Sequence, residues 1–91
     1  MITFDESKRQ ANISKHGLDF ADAAMVYDSP NKVTLESTRG GESRKMDIAL
    51  VETIGVVLAL VYVERNKGIR AISLRRASKA ERKLYEIAKQ N

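Results

Sequence analysis

The feature that most constrains the fold is an uninterrupted apolar run from Val56 to Val63. This run is too short to cross a membrane, because a membrane-spanning helix needs about 20 apolar residues. Its side chains are mostly β-branched or aliphatic, which is typical of a strand that is buried on both faces. The run therefore predicts the central strand of a β-sheet.

Further strands are predicted on both sides of this run. Apolar and polar residues alternate over 33–35 and 46–50, and another strand is predicted over 69–76. Turn signals at 53–55 and 66–68 separate the central strand from its neighbours. Because short turns connect successive strands, we expect a four-stranded, mainly antiparallel sheet. The polar stretch Ser37–Ser43 is interpreted as a flexible loop that contains the pair Gly40-Gly41.

Helices are predicted before and after the sheet. A short opening strand precedes a polar helix over 6–16, which Asp5 caps and Gly17 ends. A second helix is expected from Asp19 to the Ser29-Pro30 pair.

The last helix is opened by Ser78 and Glu81, which have the spacing of a capping box. Its apolar residues Leu84, Ile87 and Ala88 lie on one side. The whole pattern predicts an α+β fold with a short N-terminal strand, two helices, four further strands and a C-terminal helix. At this length, residues 1–91 are expected to form a single domain.

Charge is distributed unevenly along the chain. Residues 1–64 hold 7 Lys or Arg and 10 Asp or Glu, a net −3, whereas residues 65–91 hold 9 and 2, a net +7. A concentrated positive charge favours an anionic partner, and nucleic acid is the commonest one. The alternative is a solubilising basic face without a specific partner.

Composition excludes several classes of protein. The chain has no cysteine and one histidine, which excludes a disulfide framework, a thiolate metal site, a Cys nucleophile and a His-rich metal site. No Gly-rich phosphate loop is present, and no cofactor is expected. Residues 1–8 lack the pattern of a signal peptide, so we expect a cytoplasmic protein that does not enter membranes.

Arginines lie at the ends of the last two predicted strands. Strict alternation places Arg70, Ile72, Leu74 and Arg76 on one face, and Ile69, Ala71, Ser73 and Arg75 on the other. Arginines on adjacent strands can converge on one phosphate, because a guanidinium binds phosphate through two parallel hydrogen bonds. The alternative is that these arginines pair with Glu64 and other surface carboxylates.

Two further side chains are candidates for proton transfer. His16 follows Lys15 at the end of the first helix, and histidine is the usual acid–base group near neutral pH. Its alternative role is that of a cation near the negative end of the helix. Tyr85 lies one turn after Glu81, so its hydroxyl can donate to a phosphate, or the ring can be a half-buried packing residue.

Two segments resemble the BrnT family of type II toxins. The first contains Phe4-Asp5, Lys8, Asn12, Lys15-His16-Gly17-Leu18, Phe20 and Ala23-Ala24. The second contains Glu64-Arg65, the run from Ile69 to Ser78, Glu81 and Tyr85. The resemblance covers nearly the whole chain and is weakest over 31–55. Two departures are the opening at Thr3 before Phe4-Asp5, where many members carry an aromatic Trp-Asp opening, and Leu74, where Ala is commoner.

The resemblance implies a RelE-like fold and a metal-independent endoribonuclease toxin that inhibits translation. Its reaction would be attack of the RNA 2′-OH on the adjacent phosphorus. The implied partner is a BrnA-like antitoxin with a ribbon-helix-helix part. Two copies of each protein are expected in a complex that binds operator DNA.

Residue roles follow as a hypothesis. Arg75 and Arg65 are predicted to stabilise the phosphate, His16 and Tyr85 to transfer protons, and Glu64 to act as a base or to orient Arg65. The predicted RNA-binding residues are Arg70, Arg76, Lys15 and Lys79. Two other functions stay open: a non-catalytic module that binds nucleic acid or the ribosome, and the corepressor half of a toxin–antitoxin regulator.

Overall fold

The computed structural model describes residues 1–90, apart from the side chain of Arg39. The fold is α+β, as predicted, and a short 3₁₀ turn replaces the start of the second predicted helix. The elements in chain order are β1 (Ile2–Thr3), α1 (Glu6–His16), the 3₁₀ turn (Phe20–Asp22), α2 (Ala24–Tyr27), β2 (Val33–Arg39), β3 (Glu42–Val51), β4 (Val56–Arg65), β5 (Gly68–Arg76) and α3 (Lys79–Gln90).

The sheet has five strands in the order β1-β5-β4-β3-β2. The prediction of four strands is therefore wrong, because β1 joins the sheet as an edge strand parallel to β5. The Ile69 N–H donates to the Met1 carbonyl at 2.9 Å, and Ile2 pairs with Ile69. A strand of two residues has no periodicity of its own, so the sequence carries no signal for this distant pairing.

The predicted loop at 37–43 is also wrong. β2 and β3 continue to Arg39 and Glu42, which pair with each other. Gly40 and Gly41, with φ of 58° and 78°, form the two-residue turn between them. Positive φ at both central positions is required by a type I′ turn, whose twist matches that of paired strands. The two glycines therefore shape a hairpin.

β4 is the central buried strand that its apolar run predicts. Its side chains Leu58, Leu60 and Tyr62 define one face of the sheet, here called the covered face, and are at most 3% exposed. The 3₁₀ turn and α2 pack on this face, where the Tyr27 ring meets the Tyr62 ring edge-on at 5.4 Å. None of the helices within residues 1–90 is long and apolar enough to cross a bilayer.

The opposite face of β4 carries Val57, Ala59, Val61 and Val63 and is here called the open face. Ala59 and Val63 are buried, but Val61 and its β3 neighbour Met46 are partly exposed. α3 approaches this face at one end of the sheet. At that end Glu81 pairs with Arg75 of β5.

A β-bulge at Ile72 sets which arginines share a face. Val61 pairs with Ser73 and Tyr62 pairs with Ala71, so Ile72 is an extra residue on β5. An extra residue reverses the alternation on one side of the bulge. Arg70 and Arg75 consequently share the open face, and the prediction that placed them on opposite faces is wrong.

The apolar side chains of α3 are turned away from the sheet. Leu84 and Ile87 are 45% and 50% exposed, whereas Tyr85 is 4% exposed. The capping box that starts α3 is confirmed, since Ser78 N–H donates to Glu81 at 2.8 Å and Glu81 N–H donates to Ser78 Oγ at 3.2 Å. Tyr85 and Glu81 therefore define the sheet-facing side of this helix.

Candidate nucleic-acid interface

α1 is attached to the free edge of β5 by one side chain. β1 covers only the first part of that edge, and beyond it the Asn12 side chain takes the place of a strand. Asn12 Nδ2 donates to the Leu74 carbonyl at 2.9 Å, and Leu74 N–H donates to Asn12 Oδ1 at 3.1 Å. Nδ2 also donates to the Leu18 carbonyl at 2.8 Å. These bonds hold the end of α1, with Lys15 and His16, beside β5.

A shallow cleft of about 240 Å³ lies between α1 and β5. Its lining residues are Lys8, Ala11, Asn12, Lys15, His16, Ile72 and Ser73. Ser73 and Arg75 are two residues apart on the open face, a separation of about 6.5 Å along a strand. Arg75 therefore lies one strand repeat beyond the cleft that Lys15 and His16 line.

Arg75 is held in place by Glu81. Its Nη1 and Nη2 donate to the two carboxylate oxygens at 2.7 and 2.9 Å, and Nη1 also reaches the Arg76 carbonyl at 3.3 Å. The hydrogen bond from Arg75 lowers the pKa of Glu81 to about 2, and the same bond raises the pKa of Arg75. The pair is charged throughout the physiological range.

Arg75 keeps two donors for which the described part of the chain supplies no acceptor. A guanidinium has five N–H groups, and the bonds above use both of those on Nη1 and one on Nη2. Among the described residues, none accepts from the Nε–H or from the second Nη2–H, which lie together on one edge of the guanidinium. The Arg75 side chain is 28% exposed. Two adjacent donors of this kind match two oxygens of a phosphate.

Glu64 and Arg65 end β4, where they pair with the first residues of β5. Arg65 is opposite Gly68, and Arg75 follows six regular strand steps later, so their Cα atoms are about 20 Å apart. Glu64 lies on the covered face, 65% exposed, and pairs with Lys45 at 2.9 Å; this pair raises the pKa of Lys45. Arg65 lies on the open face and pairs with Glu42 at 3.4 Å. The structure does not bring Arg65 and Arg75 together on one phosphate.

The remaining predicted residues are spread over three places. Arg70 lies between the two ends of the open face, and its nearest carboxylate is Asp5 at 3.8 Å. Arg76 follows Arg75 on the covered side and is exposed, as is Lys79 at the start of α3. Tyr85 is buried and lines a separate cavity of about 440 Å³ between α2 and α3.

Arg44 was missed by the sequence reasoning. It lies on the open face of β3, two residues before Met46, and its Nε is buried without a hydrogen-bond partner. The alternation over 46–50, extended by one two-residue step toward the N-terminus, is the signal that identifies it. Glu81 was read only as a capping residue, and its pairing with Arg75 depends on how α3 returns to the sheet.

A second polar cluster is buried on the covered face. Asp47 is fully buried, and its oxygens accept from Lys32 Nζ at 2.8 Å, Thr34 Oγ1 at 2.6 Å and Tyr62 Oη at 3.1 Å. Burial, together with the Asp47 charge, raises the pKa of Tyr62. Within residues 1–90 no three His, Asp or Glu side chains are grouped as metal ligands would be.

Comparison with known proteins assigns the family. No curated protein matches the chain significantly. A family model described as the ribonuclease toxin, BrnT, of type II toxin–antitoxin systems matches residues 4–81. This range includes the α1–β5 cleft, Arg75 and Glu81. The chain belongs to the BrnT family of ribonuclease toxins of type II toxin–antitoxin systems.

Proposed function

We propose that this toxin is an endoribonuclease that cuts RNA through attack of a 2′-OH on the adjacent phosphorus, without a metal ion, and so inhibits translation. The observation that carries the proposal is the free edge of Arg75, beside a cleft lined by Lys15 and His16. Cyclisation of this kind needs stabilisation of charge on the phosphate, a base for the 2′-OH and an acid for the leaving oxygen.

Arg75 supplies the charge stabilisation. Glu81 fixes its guanidinium through two hydrogen bonds, so the free Nε–H and Nη2–H are oriented before RNA binds. A preorganised donor pair stabilises developing negative charge without reorganising during the reaction. Glu81 is therefore assigned to positioning Arg75.

His16 is assigned to proton transfer, and Lys15 and Arg70 to contacts with the RNA backbone. Arg65 and Glu64 are too far from Arg75 to act on the same phosphate, so we assign Arg65 to a distant part of the RNA. Arg76 and Lys79 are assigned to outer phosphate contacts. Tyr85, at 4% exposure, is assigned to packing of α3.

The family assignment implies a protein antitoxin as partner. We propose that this antitoxin is BrnA-like, with a ribbon-helix-helix part, in a cytoplasmic complex with two copies of each protein that binds operator DNA. We also propose that the fold is RelE-like. Co-expression with the neighbouring reading frame, followed by mass measurement of the complex, tests the stoichiometry.

The central test is Arg75→Ala, with the exposed Lys83→Ala as a control for loss of one positive charge. Cleavage of an RNA oligonucleotide in EDTA is expected to fall about 10²- to 10³-fold for Arg75→Ala, as for loss of an oxyanion-hole donor. Lys83→Ala is expected to keep the wild-type rate. The wild-type products are expected to carry 2′,3′-cyclic phosphate ends.

A folded Arg75→Ala protein that cleaves at the wild-type rate would contradict the assignment of this residue. Products without cyclic ends, or a requirement for a divalent cation, would contradict the mechanism. Tight, salt-sensitive binding with intact RNA would instead identify a non-catalytic binding module. Normal growth on induction without the antitoxin would identify a corepressor.

A further inference from the structure

A row of three side chains on the open face lies outside the site around Arg75. The row consists of Arg44 on β3, Val63 on β4 and Arg70 on β5. Val63 and Arg70 are paired residues. Lys45 pairs with Tyr62, and one further step in the same register places Arg44 beside Val63. The Arg65–Glu42 ion pair, which lies two residues further along the same strands, agrees with this register.

The spacing of the row suits one anion. Arg44 and Arg70 are on strands separated only by β4, so their Cα atoms are about 10 Å apart. Both side chains leave the sheet on the same side, and Val63 between them is 1% exposed. An apolar floor reduces the local dielectric constant and thereby strengthens a charged contact made above it.

The charges in the row are poorly compensated. Among the side chains that the structure describes, Arg44 has no hydrogen-bond or ion-pair partner, and its Nε is buried. Arg70 approaches Asp5 only at 3.8 Å, whereas Arg75 meets Glu81 at 2.7 Å. A buried donor that stays unpaired is rare in folded proteins and calls for a ligand or another explanation.

We propose that Arg44 and Arg70 together bind a second phosphate of the RNA above Val63, about 13 Å along β5 from Arg75. This inference rests on the proposed function, because the ligand is the backbone of the same RNA. The phosphate bound here flanks the one that is cut. Its role is to hold a longer RNA in register with Arg75, and Arg44 is an RNA-binding residue without contact to the reacting atoms.

The test measures binding in the absence of cleavage. A fluorescent 2′-O-methyl oligoribonucleotide lacks the attacking hydroxyl, and its Kd is determined by anisotropy over a series of salt concentrations. Arg44→Met removes the charge but keeps an apolar stem over Val63, and Lys83→Met removes the same charge from α3. Arg44→Met is expected to weaken binding about 10-fold and to reduce the salt slope by about one, as for loss of one phosphate contact.

Two further variants separate a shared contact from a general charge effect. Arg44→Lys is expected to recover part of the affinity, since it keeps the charge without the planar donors. The double variant Arg44→Met with Arg70→Met is expected to lose less than the product of the single losses, because both residues contact one phosphate. Additive losses would overturn the shared site.

Other results would also overturn the inference. One is equal affinity of Arg44→Met and Lys83→Met while both proteins have wild-type thermal unfolding. Another is competition by millimolar inorganic phosphate as effective as that by an unlabelled oligonucleotide, which would identify a site for free phosphate. Wild-type protein that binds RNA, loses this binding in Arg44→Met and cuts no RNA would refute only the proposed nuclease.

Discussion

The two faces of the sheet differ in whether the buried polar atoms of their charged side chains have hydrogen-bond partners. On the covered face, the carboxylate of Asp47 accepts hydrogen bonds from Lys32, Thr34 and Tyr62. On the open face, Arg44 has a buried Nε without a partner. A fully satisfied buried group can contribute to a unique packing, whereas an unsatisfied one costs stability. In our proposal, Asp47 serves the fold, whereas Arg44 serves the binding of RNA.

The largest effect on stability is expected when the Asp47 carboxylate, whose hydrogen bonds are all formed, is removed. Asp47→Ala leaves the Lys32 ammonium and two hydroxyls without their acceptor, and we expect the free energy of unfolding to fall by about 3–5 kcal/mol. Urea denaturation at neutral pH measures the change. Asp28→Ala, an exposed aspartate at the end of α2, is the control and is expected to change stability by less than about 0.5 kcal/mol.

Equal stability of the Asp47→Ala and Asp28→Ala proteins would remove the basis of the comparison. A second readout sharpens it. Asp47→Ala protein, at a temperature where it is folded, is expected to bind the 2′-O-methyl oligonucleotide with wild-type affinity. Arg44→Met is expected to show the reverse pattern, with reduced affinity and retained stability.

A smaller loss of stability is expected at Asn12, whose side chain forms hydrogen bonds with the backbone at the edge of β5. Asn12→Ala leaves the N–H and carbonyl of Leu74 without their partner, and we expect a loss of about 1–3 kcal/mol in the free energy of unfolding. Amide hydrogen exchange at Leu74 is expected to accelerate. Ser14→Ala, at an exposed position of α1, is the control, and equal exchange in both variants would refute the edge role of Asn12.

An effect of similar size, with its pH dependence confined to acidic pH, is expected from the Arg75–Glu81 pair. The pKa of Glu81 is about 2 in the folded protein and 4.5 without its partners. The unfolded state therefore binds more protons between these values, and stability is lost as the pH falls from 4.5 toward 2. We expect Glu81 to contribute on the order of 2 kcal/mol above this window.

The measurement is the free energy of unfolding from pH 7 to pH 3 for wild type, Glu81→Gln and Glu86→Gln. Glu81→Gln is expected to be less stable at pH 7 and to lose less on acidification. Glu86 is exposed, so its variant is expected to follow the wild-type profile. An unchanged slope in Glu81→Gln would mean that the ion pair with Arg75 contributes nothing to stability.

Local signals predicted most elements of the fold. α1 occupies residues 6–16, as its caps indicate, because Asp5 and Gly17 act on backbone groups within a few residues. The capping box at Ser78 and the central strand β4 depend on equally short-range physics. Two of the failed predictions differ in kind. The pairing of β1 with β5 joins segments distant in the chain, whereas the hairpin extension around Gly40-Gly41 is local and failed because its polar, glycine-containing sequence is also typical of a loop.

The candidate site was also predicted only in part. The sequence identified Arg75, His16 and Lys15, and the structure places His16 and Lys15 in the lining of one cleft with Ser73, two residues before Arg75. The sequence prediction also grouped Arg65 with Arg75 at one phosphate, but the register of β4 and β5 separates the two arginines. The assignment of Arg70 and Arg75 to opposite faces failed at Ile72, because nothing in a regular alternation marks a bulge.

By itself, the sequence determined α1 and α3, the central strand β4, the end of α1 at Gly17 and a concentration of arginine near the C-terminus. Only the tertiary structure decided which of the described arginines are neutralised and which are available. Pairing depends on strand register and on the return of α3, which bring Glu81 to Arg75 and no carboxylate to Arg44 among the described side chains. Side-chain chemistry is local, but the compensation of a charge is a property of its neighbours in space.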